Sequence, residues 1–125
     1  MVSQNIVILG LSEVGTTFLK HMQELKSRGV NILGVYHQPD EASAAELASS
    51  EGIKSMSLAE LVDLGEKVDM VFDLTGNRTV RSELRKILFS SNNQHTVIAP
   101  ECIVQLMYNM MGGELSIPAG DSTGY

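Results

Sequence analysis

Short apolar runs alternate with segments of helical periodicity along most of this 125-residue chain, and this alternation constrains the fold more than any other feature. Five runs have the length and apolar content of buried β-strands; they cover residues 6–9, 30–36, 53–56, 68–73 and 96–99. Between them, apolar positions recur every three or four residues, which predicts helices. Strands separated by single helices pair in parallel through right-handed crossovers. The pattern therefore predicts an α/β fold with a doubly wound parallel sheet of about five strands in the order 3-2-1-4-5, in the Rossmann manner.

The length and composition of the chain fit a single globular domain. Hydrophobic residues make up 43% of the chain and charged residues 19%, an ordinary globular balance. Residues 1–111 carry the alternating pattern, whereas residues 112–125 lose it, which predicts a tail or linker there. No apolar run approaches the roughly 20 residues that cross a bilayer, so we expect no membrane insertion. Cys102 is the only cysteine, which excludes an internal disulfide and predicts a cytoplasmic protein.

The charge of the chain argues against nucleic acid as a partner. Nine basic residues stand against fifteen acidic ones, for a net charge of −6, and binding to a polyanion requires clustered Lys and Arg. The one basic cluster, on a predicted helix, comprises Arg78, Arg81, Arg85 and Lys86. We favour a solvated helix surface for these four residues over an anion site.

A turn bounded by glycines follows the first predicted strand. Residues 10–15 have the sequence Gly-Leu-Ser-Glu-Val-Gly and stand between a strand and a helix, where such a turn holds phosphates. Gly10 permits a tight turn, Gly15 lets the helix pack close to the sheet, and we expect the free N–H groups at the start of the helix to face an anion. Ser12 replaces the usual middle glycine, and its hydroxyl is able to donate to a phosphate. Glu13 repels a phosphate unless it turns to solvent, so a site that has lost its function is the alternative.

The ends of the second and fourth predicted strands supply the walls of this site. In a doubly wound sheet, ligands bind beyond the carboxyl ends of the strands, where the strand order reverses. His37 and Gln38 follow the second strand and are able to bond a ribose, with an exposed loop as the equal alternative for His37. Thr75 and Gly76 follow the fourth strand. For Asp73, inside that strand, we favour a structural role as an acceptor of backbone N–H bonds over catalysis.

Three segments resemble a known group of domains; they are ILGLSEVG, VNILGVYHQPDEASAAELASSEGI and VDMVFDLTGNRTVR. Over about residues 5–111 the chain resembles the Rossmann-like NAD(P)-binding domain of homoserine dehydrogenase, dihydrodipicolinate reductase and acylating acetaldehyde dehydrogenase. It resembles more closely a Rossmann-like module at the N-terminus of some bacterial sensor histidine kinases. In that module, a helix comparable to residues 103–111 leads toward the signalling domains.

The resemblance implies a site for NAD or NADP. By this resemblance, His37 lies at the ribose, and Thr75 and Gly76 lie on the nicotinamide side of the ligand. The phosphates are bound by the residues of the first turn: Gly10, Ser12, Glu13, Val14 and Gly15.

Catalysis by this chain alone is not expected. Dehydrogenases of this group need a second domain that holds the substrate, and we expect none after residue 111. Cys102 lies near a predicted helix start, where a thiolate is stabilised, but we favour a thiol packed in the core because no partner is placed beside it. His21, His37 and His95 lack the spacing of metal ligands.

The last predicted helix, residues 103–111, carries more apolar residues than packing on one sheet face requires. Leu106, Met107 and Met110 lie between Ile103 and Met111 and cover a broad arc. Core packing and a homodimer interface are both open explanations.

These observations support one leading hypothesis and two alternatives. The leading hypothesis is a non-catalytic sensory or regulatory module that binds an NAD(P)-like nucleotide and passes its occupancy to a larger signalling protein through the last helix. The first alternative is the cofactor-binding half of an NAD(P)-dependent dehydrogenase. The second is an interaction domain with a decayed nucleotide pocket.

Overall fold

The computed structural model describes residues 2–112 and shows one parallel sheet with helices packed on both faces. Its four strands, β1 (Gln4–Leu9), β2 (Val30–Tyr36), β3 (Met70–Asp73) and β4 (Val97–Pro100), stand in the order β2-β1-β3-β4. The α-helices are α1 (Glu13–Glu24), α2 (Ala42–Ser50), α3 (Leu58–Leu64), α4 (Arg78–Ser90) and α5 (Glu101–Met110), and short 3₁₀ turns cover Lys26–Arg28, Pro39–Glu41 and Gly65–Lys67. No helix within the described range is long and apolar enough to cross a membrane.

This architecture confirms the predicted α/β domain with a doubly wound parallel sheet, and the strand count is corrected from five to four. Residues 53–56, the predicted third strand, contribute only one parallel bridge, between Val35 and Ser55. Within that segment Lys54 and Ser55 are exposed and Met56 alone is buried, so it has too little apolar surface to add a strand to the sheet. The predicted tail lies outside the described residues, apart from Gly112.

The central strand β1 is buried on both faces. Its carboxyl end, from which the candidate site is built, is therefore held firmly in the core. Ile6 and Ile8 pack into the core layer beneath α1, α2 and α5, whereas Val7 and Leu9 pack into the layer beneath α3 and α4. All four side chains are at most 3% exposed. Burial of each contributes roughly 1.5–3 kcal/mol, so the carboxyl end of β1 is a rigid support.

The amino-terminal edge of the sheet is held by Asp69. One carboxylate oxygen accepts the backbone N–H of Asn5 at 2.7 Å, and the other lies 2.7 Å from Nε2 of His95. The hydrogen bond from Asn5 and, after it, the one from His95 lower the pKa of Asp69. The charged form of this carboxyl is therefore favoured in the folded chain.

Candidate functional site

Three loops meet at the carboxyl edge of the sheet, where the strand order reverses. In the order β2-β1-β3-β4, the chain leaves β1 for β2 on one side and returns to β3 on the other. The loops after β1, β2 and β3 (residues 10–12, 37–38 and 74–77) therefore surround one crevice, which we call the switch crevice. Open α/β sheets bind their ligands at this position.

The two glycines of the turn are required by close packing. Gly10 has φ +100°, and a Cβ there would lie 2.9 Å from the carbonyl carbon and oxygen of Leu74. A Cβ on Gly15 would lie 1.9 Å from the carbonyl oxygen of Gly10. The first turn of α1 thus sits directly on the turn that leaves β1, and that turn sits on the loop after β3. Gly10 thus lies between Gly15 on one side and the backbone of Leu74 and Thr75 on the other.

The amino end of α1 differs from those of α3 and α4, which are capped by side chains. Ser57 accepts the N–H of Glu60 in α3, and Asn77 accepts two N–H groups in α4. Ser12, the N-cap of α1, makes no such bond with its side chain. The first N–H groups of a helix have no intrahelical acceptor, and the helix dipole makes this end attractive to anions. The amino end of α1 is therefore open in the sense that no side chain caps it, as is also the case for α2 and α5.

The side chains of this helix start do not themselves cover its N–H groups. Ser12 and Glu13 are both exposed, and the hydroxyls of Thr16 and Thr17 donate to the backbone carbonyl of Glu13, not to its carboxylate. The Glu13 carboxylate therefore does not fill the turn. Val14 is 4% exposed and packs in the core, so only its backbone N–H is available to a ligand.

Glu41 brings a carboxylate to the switch crevice that the sequence analysis did not find. Its Oε1 accepts the backbone N–H of Leu11, in the turn after β1, and that of Gln38, after β2, both at 2.9 Å. Glu41 ends the 3₁₀ turn Pro39–Glu41 and forms a capping box with Gln38. The sequence Gln-Pro-Asp-Glu at residues 38–41 could have indicated this capping box. Pro at the first helical position and Glu at the third are typical of the start of a helix.

The loops after β2 and β3 are joined by side-chain amides. Asn77 donates through Nδ2 to Oε1 of Gln38 at 2.7 Å, and Gln38 donates through Nε2 to the carbonyl oxygen of Thr75 at 3.5 Å. His37 is half-buried beside them, with Nδ1 at 3.0 Å from the carbonyl oxygen of Gln38. Gly76 is half-buried, with φ +60°. The predicted wall residues thus lie in the loops that border the switch crevice.

Asp73 holds the loop after β3 and is not free to act on a ligand. It is fully buried, and its Oδ1 accepts the backbone N–H of Thr75 at 3.1 Å and the Thr75 hydroxyl at 2.7 Å. Its Oδ2 lies 3.5 Å from Nε of Arg81. This is the structural role favoured from the sequence.

Arg81 corrects the prediction of a solvated basic surface. Arg78, Arg85 and Lys86 are exposed, but Arg81 is 2% exposed and pairs with Asp73 and with Glu101, whose Oε2 lies 2.8 Å from Nη2. A buried carboxylate requires a charged or hydrogen-bonding partner, and Arg81 projects from the inner face of α4 to provide it. The guanidinium thereby joins the end of β3 to the first residue of α5.

Cys102 is exposed on α5, so the predicted packed thiol is wrong. Cys102 is two residues from the buried Val104, and this spacing places it on the opposite side of the helix.

Among the histidines, His21 contacts the hydroxyl of Tyr108 and so links α1 to α5. Burial and, after it, the charge of Glu24 raise the pKa of Tyr108. Within residues 2–112, no group of three or more His, Cys, Asp or Glu side chains is arranged to hold a metal ion.

Solved structures with this fold include dehydrogenase and repressor chains. The S. aureus homoserine dehydrogenase structure at pH 8.5 matches with TM-score 0.57 and 16% identity, over 95% of this chain and 33% of that chain. RSP in complex with β-NADH matches with TM-score 0.56 and 12% identity, over 89% and 61%. RSP, a Rex-family repressor, in complex with β-NAD⁺ and operator DNA matches with TM-score 0.53 and 11% identity, over 89% and 58%.

These similarities confirm the Rossmann-like fold. The chain spans about a third of the dehydrogenase chain and about three fifths of the RSP chain. No protein-family model and no curated protein matches the sequence.

Proposed function

We propose that the switch crevice binds a nicotinamide dinucleotide and that the chain is a non-catalytic regulatory module. The observation that carries the proposal is the open amino end of α1, seated by Gly10 and Gly15 against the carboxyl end of β1. Backbone N–H groups at such a position bind the pyrophosphate of a dinucleotide. The residues placed at the phosphates are Gly10, Ser12, Glu13, Val14 and Gly15, with Glu13 turned to solvent.

Glu41 is proposed to bind the adenosine ribose together with His37. An acid beyond the second strand usually accepts the ribose hydroxyls in this fold, and the Glu41 carboxylate is fixed there by Leu11 and Gln38. A carboxylate at this place repels a 2′-phosphate, so we propose NAD rather than NADP as the preferred ligand. The loop after β3, with Thr75 and Gly76, is placed on the nicotinamide side.

We prefer a regulatory role to that of a dehydrogenase half because the acidic side chains at the crevice are engaged in structural hydrogen bonds and ion pairs. Asp73, the one fully buried acid among residues 2–112, is bonded to Thr75 and paired with Arg81. Glu41 is bonded to two backbone N–H groups. Neither is left to transfer protons to a substrate. The RSP structures, with NADH or with NAD⁺ and operator DNA, give a precedent in this fold for a regulator that binds a nicotinamide dinucleotide.

The proposed module works in the cytoplasm as part of a larger signalling protein. The net charge of −6 favours a protein rather than nucleic acid as the direct partner of this chain. The outer face of α5 is the proposed contact with a second copy, because Ile103, Leu106 and Met110 are 40%, 54% and 77% exposed and share one stripe. Glu101 of α5 contacts Arg81, which pairs with Asp73 at the end of β3, and these contacts connect α5 to the switch crevice.

Calorimetric titration of the chain with NAD⁺, NADH, NADP⁺ and NADPH tests the binding proposal. The matched variants are Ser12→Asp and Ser12→Asn, since both residues are good helix N-caps and only Asp adds a negative charge at the phosphate position. We expect binding to weaken at least about tenfold in S12D, a loss of about 1.4 kcal/mol, and to persist in S12N. Absence of heat and of a melting shift with all four nucleotides would show that the crevice is not a dinucleotide site.

A further inference from the structure

The amide bridge between Gln38 and Asn77 crosses the switch crevice. Gln38 follows β2 and Asn77 follows β3, and these strands flank β1 on opposite sides. Neighbouring strands lie roughly 4.8 Å apart, so the two loops are about two strand spacings apart. The 2.7 Å hydrogen bond from Asn77 Nδ2 to Gln38 Oε1 therefore spans the carboxyl end of β1 and joins the two loops on either side of the turn proposed to hold the phosphates.

Both ends of the bridge are fixed to the main chain. Asn77 uses its Oδ1 to cap α4, accepting the N–H groups of Thr79 and Val80 at 2.9 and 3.2 Å. The backbone N–H of Gln38 is held by Glu41, and its side-chain Nε2 donates to the carbonyl oxygen of Thr75 at 3.5 Å. The two amides are thus held in position to meet, and their contact does not depend on freely rotating surface side chains.

We propose that the Gln38–Asn77 bridge is a latch, closed in the unliganded chain, that opens before a dinucleotide reaches the N–H groups of α1. This proposal rests on the proposed function and adds the regulation of the same site. A neutral hydrogen bond of this kind changes an equilibrium constant by roughly 2- to 12-fold. If only the open form binds, the apparent affinity falls by the fraction of molecules that are open. Variants that cannot close the latch are then expected to bind more tightly.

Two single variants open the latch from opposite sides. Gln38→Ala removes one amide and leaves the backbone N–H that Glu41 holds. Asn77→Ser removes the other amide and keeps a side-chain oxygen suited to cap α4. Gln23→Ala is the matched control, since Gln23 also donates a side-chain hydrogen bond, to Glu51 at 3.0 Å, but near the carboxyl ends of α1 and α2, away from the switch crevice.

The experiment is titration of the full chain and its variants with NADH and NAD⁺, with association rates from stopped-flow fluorescence of NADH. We expect Q38A and N77S each to lower Kd by roughly 2- to 12-fold, the net effect of one such hydrogen bond, and to raise the association rate. The double variant should gain no more than Q38A alone, because Q38A already removes the bond that N77S removes. Q23A should bind as the wild-type chain does.

The outcomes separate the latch from the proposed function. Tighter binding in both variants, or binding seen only in them, supports the latch. Unchanged or weaker binding, with wild-type binding intact, overturns the latch and retains the dinucleotide site; weaker binding would make these amides ligand contacts. No binding in the wild-type chain or in any variant overturns both proposals.

Discussion

The carboxylate of Asp73 lies 3.5 Å from Nε of Arg81, and both side chains are almost completely removed from solvent. Removing one partner of such a pair leaves a buried charge without compensation. We therefore expect Arg81→Ala to lower the free energy of unfolding by about 3–5 kcal/mol, measured by urea denaturation. The double variant Asp73→Asn with Arg81→Met should lose less, since it removes both buried charges, keeps an acceptor for Thr75 and leaves only the partly exposed Glu101 without Arg81. A loss below about 1 kcal/mol in R81A, in the range of exposed pairs, would contradict this account.

Gly15 is expected to tolerate no side chain. Its missing Cβ would lie 1.9 Å from the Gly10 carbonyl oxygen, so Gly15→Ala must push α1 away from β1. We expect a loss of about 1–3 kcal/mol or more, as for overpacked cores, with loss of nucleotide binding. Gly52→Ala is the control, because its Cβ would meet nothing within 4 Å and only its φ of +85° is unfavourable. Equal thermal melting of the two variants would argue against the close packing of helix and turn.

Glu41 is expected to set the preference between the two dinucleotides. Glu41→Gln keeps an oxygen for the N–H groups of Leu11 and Gln38 and removes the charge that faces a 2′-phosphate. We expect the ratio of Kd for NADP⁺ to Kd for NAD⁺ to fall at least about tenfold, measured by calorimetry. Asp40→Asn, an equal charge change at an exposed position of the same 3₁₀ turn, should leave that ratio unchanged. If D40N and E41Q shift the ratio of Kd values equally, the preference depends on the net charge near the crevice and not on the fixed carboxylate of Glu41.

Asp69 predicts a pH dependence of stability. Because its pKa is lowered below 3.8 in the folded chain, its contribution is present above the unfolded-state pKa and is lost as the pH falls through the folded-state value. Asp69→Asn should therefore be less stable than the wild-type chain at neutral pH, and the difference should shrink in acid. Urea denaturation at a series of pH values measures this difference. Asp63→Asn, exposed on α3, serves as the control, and a D69N difference that is constant with pH would be the contrary result.

The outer face of α5 is expected to mediate self-association. Leu106→Glu and Met110→Glu place charges in the exposed stripe and should convert a dimer into a monomer in sedimentation velocity runs. Leu47→Glu is the matched control, since Leu47 is 57% exposed on α2 and outside the stripe. These changes touch no core position, so thermal stability should stay close to that of the wild-type chain. A wild-type chain that sediments as a monomer at every concentration would exclude this interface.

The sheet could be predicted from sequence because its central strands are apolar on both faces. Val7 and Ile8 leave no polar face to place in water, and a crossover helix follows from the spacing. Residues 53–56 misled the prediction because Ile53 and Met56 look like the ends of a strand, yet the exposed Lys54 and Ser55 lie between them. One bridge to Val35 is all that this segment supports.

The position of the glycine turn was also predictable, whereas its neighbours were not. Gly10 and Gly15 predict the turn because glycine adopts backbone conformations and close contacts that other residues rarely allow. Glu41 is five residues beyond the end of β2, and only the 3₁₀ turn folds it back to Leu11. In the sequence, Arg81 is indistinguishable from the neighbouring surface cations. Only the structure shows that it pairs with the buried Asp73. Such contacts depend on tertiary geometry, which a one-dimensional pattern does not encode.

Pro100 ends β4, and Glu101, the next residue, begins α5. With no linker between strand and helix, the start of α5 is fixed to the sheet edge, where Arg81 also holds Glu101. Tyr108, near the other end, is buried and contacts His21 of α1. The helix is therefore anchored at both ends of the roughly 15 Å that ten helical residues span, and its exposed stripe is a rigid surface.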